Sequence, residues 1–326
     1  MSVCRVCHNE EANRPYLARE MMFGYKDEFS YFECAGCGCL QIAKIPADLS
    51  KYYPKDYWPH TESEPTYPMG ARESFVRRQV TKYYLTRKNV LGRLLDKRHD
   101  LGREYPEWLK RKSVNLNLNI ASHILDVGCG SGGLLIDLQR KGFSRLCGVD
   151  LYIDGNITYK SGVRIIKSDL ESLDQQFDFI MLHHSFEHMP EPLHTLETLY
   201  RLLKPNRYIL LRMPLASSFA WRKYGVDWVQ LDAPRHLFLH TTRSLEVLAR
   251  KSGFRVAEVI FDSDEFQFWG SEQYQSGIPL RDERSHWVNP SQSIFSEQEI
   301  DAYSRLAAEL NDRMEGDQAC FYLYKE

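Results

Sequence analysis

Two kinds of residue in this chain are spaced for chemistry: glycines that follow an apolar run, and cysteines that come in pairs. The glycines lie in His-Ile-Leu-Asp-Val-Gly-Cys-Gly-Ser-Gly-Gly, residues 123–133, where a strand pattern gives way to a helix pattern. Gly128, Gly130 and Gly132 let backbone N–H groups approach a ligand without interference from a Cβ, and the following helix would present its positive N-terminus there. The segment therefore predicts a nucleotide-binding loop.

Acidic residues follow the next predicted strands, where a bound nucleoside would need them. Asp150 lies at the end of a strand predicted at 145–151, and a carboxylate there can accept hydrogen bonds from both ribose hydroxyls. Asp169 follows a strand predicted at 163–167. Further strands are expected at 177–184 and 208–213, which gives the alternating pattern of an α/β, Rossmann-like domain. A domain of this kind that binds another nucleotide is the alternative at this point.

The spacing Asp126-x-Gly-x-Gly-x-Gly resembles the first motif of class I S-adenosylmethionine (SAM) methyltransferases and differs from the dinucleotide pattern G-x-G-x-x-G. The resemblance implies a seven-stranded SAM-binding domain whose loop holds the carboxypropyl and ribose parts of SAM, with Asp169 near the adenine amino group. The residues that it places at the cofactor are Asp126, Gly128, Gly130, Gly132, Asp150, Asp169 and His184.

The cysteine pairs Cys4-x-x-Cys7 and Cys34-x-x-Cys37 match a zinc ribbon, in which each pair supplies two thiolates to one tetrahedral Zn²⁺ ion. Four protein thiolates leave no open coordination position, so the predicted role of the zinc is structural. Cys39 is an alternative to Cys37 as the fourth ligand. Disulfides are the less favoured interpretation because cytosolic thiols are kept reduced.

The composition narrows the class of protein. A chain of 326 residues, 43% of them hydrophobic, is long enough for an α/β domain and a smaller module. It shows neither a membrane-spanning apolar run nor a signal-peptide pattern, so we expect a soluble, cytoplasmic protein. The net charge of −2 gives no general nucleic-acid signature, and no nucleic-acid partner is expected.

The patterns along the chain predict a zinc ribbon at 1–45, a proline-rich arm and basic helical segment at 46–115, and the SAM domain at 116–326. Residues 72–112 hold thirteen Lys or Arg against five Asp or Glu. Apolar residues at helical spacing from 72 to 95 predict a solvated helix that covers the sheet domain. The alternative is a basic face that attracts a diphosphate or an anionic, lipid-linked substrate, with peripheral membrane contact.

The carboxyl-terminal part of the chain gives clear element patterns. We expect a helix at 244–252 with Gly253 as its cap, followed by a strand at 254–261. A helix at 296–313 should precede a final, antiparallel strand at 319–324.

The chain as a whole resembles bacterial sugar methyltransferases that carry an N-terminal zinc-binding module, including deoxysugar C-methyltransferases and relatives from O-antigen-type polysaccharide gene clusters. Beyond the cysteine pairs and the glycine loop, the resemblance is carried by residues 186–190 and 228–240. Residues 269–274 stand in place of the family's His-Gly-Gly substrate loop, within an insertion near 262–300. The resemblance implies methyl transfer from SAM to a sugar acceptor carried on a nucleotide, a lipid or a polysaccharide.

The same resemblance indicates which side chains do the chemistry. His236 and His188 are the expected acid–base residues, because histidine titrates near working pH, and Glu187 lies beside them in the sequence. The acceptor-binding residues that we expect are Arg235, Asp232 and Tyr274.

Two departures from the sugar family bear on the reaction. Arg235 stands where the C-methylating members have Glu, and Trp269 replaces the first His of the substrate loop. Removing a proton from carbon needs a strong base beside an enolate stabiliser, whereas a hydroxyl needs only a base of moderate pKa. The sequence therefore favours O-methylation over C-methylation.

Two other functions stay open. The protein could be an adaptor, with a zinc ribbon and a SAM domain that does not catalyse, or a methyltransferase that acts on nucleic acid through the ribbon and the basic helix. Transfer of a labelled methyl group tests the first, and a salt-dependent gel shift tests the second.

Overall fold

A computed structural model shows the protein at residues 2–54, 69–111 and 113–326. The aromatic and proline-rich part of the predicted arm, residues 55–68, lies outside the described residues. Packing divides the chain into two units. The first unit comprises Met1–Pro54, His184–Leu196 and Leu211–Phe321, and the second comprises Lys55–His183, Glu197–Leu210 and Tyr322–Glu326. The domain limits near 45 and 115 stay predictions from the sequence.

The regular elements are numbered in chain order. The strands are β1 (Arg14–Arg19), β2 (Glu28–Glu33), β3 (Leu40–Ile42), β4 (His123–Val127), β5 (Arg145–Asp150), β6 (Ile157–Thr158), β7 (Arg164–Lys167), β8 (Phe177–His183), β9 (Leu203–Pro214), β10 (Phe238–Leu239), β11 (Arg255–Phe261) and β12 (Gln318–Lys325). The α-helices are α1 (Ala71–Thr86), α2 (Val90–His99), α3 (Glu107–Lys110), α4 (Gly133–Arg140), α5 (Pro192–Leu202), α6 (Phe219–Tyr224), α7 (Thr242–Lys251), α8 (Phe266–Gln275) and α9 (Glu297–Asp312). Within the described residues, no helix combines the length and the hydropathy needed to cross a bilayer.

The second unit is built on a mainly parallel sheet with the strand order β9–β8–β4–β5–β7–β6. Strand β4 pairs in parallel with β5 and β8, and β5 pairs in parallel with β7. Strands β4 and β8 are apolar and buried along almost their whole length, as expected of strands covered on both faces. The sequence did not predict β6, which pairs antiparallel with β7, because two residues are too few to give a strand pattern.

The basic segment of the second unit forms two helices, so the single helix expected from 72 to 95 is wrong. Helix α1 ends at Arg87, which has a left-handed φ of 58°, and Asn89 starts α2 by accepting a hydrogen bond from the Gly92 N–H at 2.8 Å. Leu91 and Leu94 of α2 are 47% and 61% exposed. These two leucines of α2 are therefore exposed, whereas a helix that covers the sheet domain would bury its apolar residues.

The first unit joins the amino-terminal residues to a distant part of the chain. Its four-stranded sheet has the order β1–β2–β3–β10, and β10 pairs antiparallel with β3, with Leu239 opposite Leu40. Strands β9 and β12 each contribute residues to both units, and the order of the larger sheet continues from β9 to β12 and then to β11. The predicted zinc ribbon therefore shares a sheet with the segment 228–240.

Most carboxyl-terminal elements agree with the sequence prediction. Helix α7, strand β11, helix α9 and strand β12 lie within two residues of the expected limits, and Gly253 follows α7 with a φ of 88°. The substrate loop expected at 269–274 is wrong, because these residues lie in helix α8. Trp269 and Tyr274 are buried there in an apolar cluster with Met21, which favours helix over loop.

A buried ion-pair network holds the first unit together around Arg235. Its side chain is 0% exposed, and its guanidinium donates to Glu20 Oε1 at 3.1 Å and, through Nε, to Asp232 Oδ2 at 2.9 Å. The guanidinium carbon also lies 5.3 Å from the centre of the Phe23 ring. Since Glu20 belongs to the amino-terminal segment, Arg235 ties that segment to residues 232–240.

Replacing Arg235 by methionine should destabilise the protein, because Glu20 and Asp232 would remain buried without their cation. Breaking a buried ion pair on one side typically costs about 3–5 kcal/mol. Unfolding in denaturant, followed by tryptophan fluorescence, should show a loss of that order. The exposed Arg243 provides a matched control, and Arg243→Met should change the free energy of unfolding by less than about 0.5 kcal/mol. Equal stability of Arg235→Met and the unmodified protein would contradict the role given to the network.

Candidate functional site: a glycine loop and a histidine–glutamate cluster

The glycine loop connects β4 to α4 in the second unit. Gly128, Gly130 and Gly132 have φ values of 69°, 53° and 85°, in the region that favours glycine. A Cβ on Gly132 would lie 2.4 Å from Ile165 Cδ1, and the φ of 85° would strain any other residue at this position. No side chain caps α4 at Gly132, which leaves the first amides of the helix available to a ligand.

Asp150 holds the loop from the end of β5. Its Oδ2 accepts the Gly130 N–H at 2.9 Å, and its Oδ1 accepts the Tyr152 N–H at 2.8 Å. Each carboxylate oxygen has a second lone pair, so Asp150 can also accept hydroxyl hydrogen bonds. Burial and the charge of Asp150 raise the pKa of Asp126 to about 8. Asp126 is therefore protonated at neutral pH, and the repulsion between the two carboxyls is relieved.

A second group of polar side chains begins where β8 ends. In parallel sheets the carboxyl ends of strands form the ligand-binding edge. The chain leaves β8 at His183, and the next five residues contain His184, Glu187 and His188. In the first unit, Glu187, His188 and His236 bring one ligand-type atom each to within 4.8 Å of one another. We refer to these three residues as the histidine–glutamate cluster.

Glu187 is the most unusual member of the cluster. Its side chain is 0% exposed, and among the described residues neither carboxylate oxygen has a hydrogen-bond partner. The nearest polar neighbours of Oε1 are His184 Nδ1 at 3.6 Å and His236 Nε2 at 4.0 Å. Burial opposes ionisation of Glu187, but His184 and the other two imidazoles outweigh it and lower the pKa to about 2. The cluster therefore contains a buried carboxylate whose nearest side-chain nitrogen, His184 Nδ1, is 3.6 Å away.

The two histidines of the cluster are oriented by backbone carbonyls. His188 Nδ1 lies 2.8 Å from the Arg235 carbonyl oxygen, and His236 Nδ1 lies 2.7 Å from the Gln230 carbonyl oxygen. A carbonyl only accepts, so each Nδ1 carries the proton and donates it, and Nε2 keeps a lone pair. Burial and the neighbouring His188 lower the pKa of His236 to about 4, so this imidazole is neutral at pH 7.

The paired cysteines form a separate group in the first unit. The Sγ atoms of Cys4, Cys7, Cys34 and Cys37 all lie within 4.8 Å of one another, with Cys4 and Cys37 3.6 Å apart and Cys7 and Cys34 3.4 Å apart. Bonds of about 2.3 Å to one tetrahedral ion require sulfur–sulfur distances of about 3.8 Å. The cluster is therefore compatible with a zinc ribbon.

Three donors point at the sulfur atoms of this cysteine group, as expected for thiolates. Gln41 Nε2 and the Val6 amide nitrogen lie 3.1 Å and 3.4 Å from Cys4 Sγ, and the Cys37 amide nitrogen lies 3.4 Å from Cys34 Sγ. Cys39 lies outside the group, with its Sγ 3.8 Å from His240 Nδ1. This geometry favours Cys37 over Cys39 as the fourth ligand.

A family model described as a methyltransferase domain matches residues 87–259, which is more than half of the chain. The chain belongs to this methyltransferase family. The family and the glycine loop together make it a class I SAM-dependent methyltransferase, for which SAM is the cofactor. The parallel pairing of β4, β5, β7 and β8 is that of the α/β, Rossmann-like fold that the sequence predicts.

Several known proteins are similar to the methyltransferase. It is 27% identical over 181 residues to the ubiquinone biosynthesis O-methyltransferase of Pseudomonas fluorescens (strain SBW25), a match that covers 50% of this chain and 75% of that protein. A SAM-dependent methyltransferase from Archaeoglobus fulgidus is 22% identical with a TM-score of 0.38, covering 63% of this chain and 86% of that one. Mycolic acid cyclopropane synthase CmaA1, solved with SAH and CTAB, is 18% identical with a TM-score of 0.42, covering 82% and 96%.

The structure places the predicted acceptor-binding residues of the methyltransferase inside the first unit. Arg235 is fully buried, and its charge is paired with Asp232 and Glu20. An arginine that binds an acceptor anion would instead be expected at an accessible surface. Tyr274 is buried in α8, and burial raises the pKa of its phenol well above the usual range. Asp232 lies between Arg235 and the cluster, with Oδ2 3.9 Å from His236 Nε2.

Two of the predicted cofactor residues, Asp169 and His184, lie outside the glycine loop. Asp169 is exposed after β7, where its Oδ1 accepts the Ser172 N–H at 3.1 Å, and its adenine contact stays a prediction. His184 belongs to the first unit and contacts Arg212 and Glu187. It orients Glu187, while its predicted role at the cofactor stays a prediction.

Sequence reasoning missed two residues that shape these sites. Gly148 lies inside β5, and a Cβ there would lie 2.4 Å from Cys129 Sγ, so glycine lets the loop pack on the strand. Arg212 donates to His184 Nε2 at 2.7 Å and pairs with Asp262 at 2.6 Å. Both residues could have been found from the sequence, because Gly148 is a glycine within a strand and Arg212 is a charged residue within an apolar strand.

Asp150→Asn should weaken SAM binding about tenfold to a hundredfold. The substitution keeps the shape but removes the charge from hydrogen bonds that are typically worth about 1.5–3 kcal/mol. Isothermal titration calorimetry measures the change. The exposed Asp154 provides a matched control, and Asp154→Asn should bind SAM as the unmodified protein does. Unchanged affinity in Asp150→Asn would remove this residue from the cofactor site.

Proposed function

We propose that the protein transfers the methyl group of SAM to a hydroxyl of a sugar, and that the histidine–glutamate cluster accepts the proton of that hydroxyl. The observation that carries the proposal is the state of His236. Its Nδ1 proton is donated to the Gln230 carbonyl, and its Nε2 lone pair lies 4.0 Å from the buried carboxylate of Glu187. This is the arrangement of a base that is unprotonated at neutral pH and has a neighbouring anion that offsets part of the cost of protonating it.

The chemistry asked of the side chains is modest. SAM supplies a methyl group that is already activated by the sulfonium charge. The protein has to hold the acceptor oxygen in line with the methyl carbon and to remove one proton. His236 Nε2, or His188 Nε2, takes that proton as the new oxygen–carbon bond forms, and Glu187 balances the positive charge that develops on the imidazole.

Transfer to oxygen fits the cluster better than transfer to carbon. A hydroxyl proton can leave while the methyl group is being transferred, whereas a carbon acid has to be ionised by a strong base. Arg235 in place of an acidic residue does not by itself exclude transfer to carbon, because Glu187 and Asp232 supply carboxylates 4.0 Å and 3.9 Å from His236 Nε2. The relative named as an O-methyltransferase supports the same choice.

A sugar on an anionic carrier is the proposed acceptor class. The sugar is proposed from the resemblance of the sequence, and the anionic carrier from the charge of residues 72–112, with thirteen Lys or Arg against five Asp or Glu. Helices α1 and α2 carry most of this charge, which favours a diphosphate of a nucleotide sugar or of a lipid-linked glycan.

The cysteine group is proposed to bind one structural Zn²⁺ ion. The four sulfur atoms are near the spacing that a tetrahedral ion requires, and backbone and Gln41 donors face them. The ion would fix the loops of the ribbon. The ribbon shares its sheet with β10 and therefore supports the segment that directly follows His236.

His236→Ala should lower the rate of methyl transfer about 10²–10⁴-fold while leaving SAM affinity unchanged, because loss of a general base typically has this cost. The rate is measured with labelled SAM and a panel of nucleotide-linked and lipid-linked sugars, and the affinity by calorimetry. His99→Ala, which changes an exposed histidine of α2, is the control and should keep the full rate.

The assay separates the alternatives. If His236→Ala and His188→Ala each keep the full rate, neither is the base. If His236→Ala also loses SAM binding in parallel, the histidine is structural. If the unmodified protein binds SAM but transfers no methyl group to any acceptor, the non-catalytic adaptor is favoured.

Metal analysis of protein purified without added metal should find about one zinc per chain. Cys34→Ser and Cys37→Ser should lose it, since three thiolates bind a structural ion far more weakly. Cys39→Ser is the matched control and should keep one equivalent. Absence of zinc from the unmodified protein, together with rapid titration of the four thiols, would contradict the proposal.

A further inference from the structure

The histidine–glutamate cluster has a property that proton transfer alone does not require. Glu187 is 0% exposed, and within the described part of the chain neither of its oxygens accepts a hydrogen bond. A buried carboxylate without a donor is costly, and such groups are normally satisfied by a donor, a cation or a metal ion. The nearest side-chain nitrogens, on His184 and His236, are 3.6 Å and 4.0 Å away.

His236 presents a lone pair rather than a proton to this carboxylate, because its Nε2 lies 4.0 Å from Glu187 Oε1. Both Nδ1 atoms donate to backbone carbonyls, at 2.8 Å for His188 and 2.7 Å for His236. An Nδ1–H to carbonyl hydrogen bond that leaves Nε2 bare is the arrangement that orients histidines as metal ligands. Glu187 and the Nε2 atom of His236 therefore offer electron pairs to each other without a proton between them, and His188 lies in the same cluster.

We propose that Glu187, His188 and His236 bind a divalent transition-metal cation, of the class of Mn²⁺ or Zn²⁺, separately from the cysteine group. Two imidazoles and one carboxylate are a known ligand set for such ions, and they leave positions open for oxygen ligands. The donor atoms lie within 4.8 Å of one another. Metal–ligand bonds of about 2.0–2.2 Å require the ligand atoms to be about 3–3.5 Å apart. Side-chain movements of about 1 Å would bring the three ligand atoms to that spacing.

The surroundings of the cluster suit a bound cation. Asp232 Oδ2 lies 3.9 Å from His236 Nε2 and adds negative charge on the same side, while the charge of Arg235 is already balanced by Asp232 and Glu20. His184 would act as an outer partner of the metal site. Arg212 holds its Nε2, and its Nδ1 faces the carboxylate of Glu187 at 3.6 Å. The binding itself does not depend on the acceptor. A cation on His236 Nε2 occupies the lone pair that the proposed general base would use, so the metal-bound form and the proton-accepting form of the cluster exclude one another.

Manganese titration tests the site directly. Thiolates prefer softer ions such as zinc, whereas carboxylate and imidazole ligands accept Mn²⁺. Protein with its zinc content measured and constant is titrated with MnCl₂, and free Mn²⁺ is followed by electron paramagnetic resonance. The unmodified protein should bind one equivalent. Glu187→Gln should weaken binding at least tenfold, and Glu297→Gln, at an exposed position in α9, should leave it unchanged.

Metal counting keeps this result separate from the ribbon and from catalysis. In cobalt-loaded protein we expect two equivalents per chain, with one lost in Glu187→Gln and the other in Cys34→Ser. No saturable Mn²⁺ binding by the unmodified protein, or equal binding by Glu187→Gln with its fold and SAM affinity intact, overturns the metal site. Methyl transfer by protein that binds no Mn²⁺ would support the proposed function and contradict the metal site. Mn²⁺ binding without methyl transfer to any sugar would support the metal site and contradict the proposed function.

Discussion

The first unit depends on one buried cation. Arg235 is inaccessible to solvent and binds two carboxylates, Glu20 from the amino-terminal segment and Asp232 from its own turn. Its backbone carbonyl accepts the Nδ1 proton of His188. Because the charge is buried, neither carboxylate can be left without it at low cost. One residue thus links the ribbon, the turn before β10 and a histidine of the cluster.

This constraint explains why the amino-terminal module is packed rather than tethered. The Tyr31 hydroxyl donates to the His236 carbonyl at 2.9 Å, and the Thr241 hydroxyl donates to the Cys37 carbonyl at 2.7 Å. Strand β10 completes the ribbon's sheet at β3. The residues that orient His236 are therefore partly supplied by the ribbon, so loss of the ribbon is expected to disturb the cluster as well as the cysteine group.

Local patterns predicted much of the fold and part of the site. The glycine loop and the strands around it are predictable because their geometry follows from a few adjacent residues. Trp269 and Tyr274 lie in a helix rather than in the expected loop, where they are buried against Met21. Arg235 pairs with Glu20, which is more than two hundred residues away in the chain. Pairings over such distances are set by packing, which the sequence pattern of either segment does not contain.

The central claim is transfer of a methyl group from SAM to oxygen of a sugar, and nuclear magnetic resonance of the product tests it most directly. SAM with a ¹³C-labelled methyl group is incubated with the protein and a mixture of nucleotide-linked and lipid-linked sugars. The claim predicts a new labelled signal with the chemical shift of a methyl ether, correlated with a sugar ring proton. A labelled signal of a methyl group bonded to carbon, or label that stays entirely in SAM with every acceptor, would contradict it.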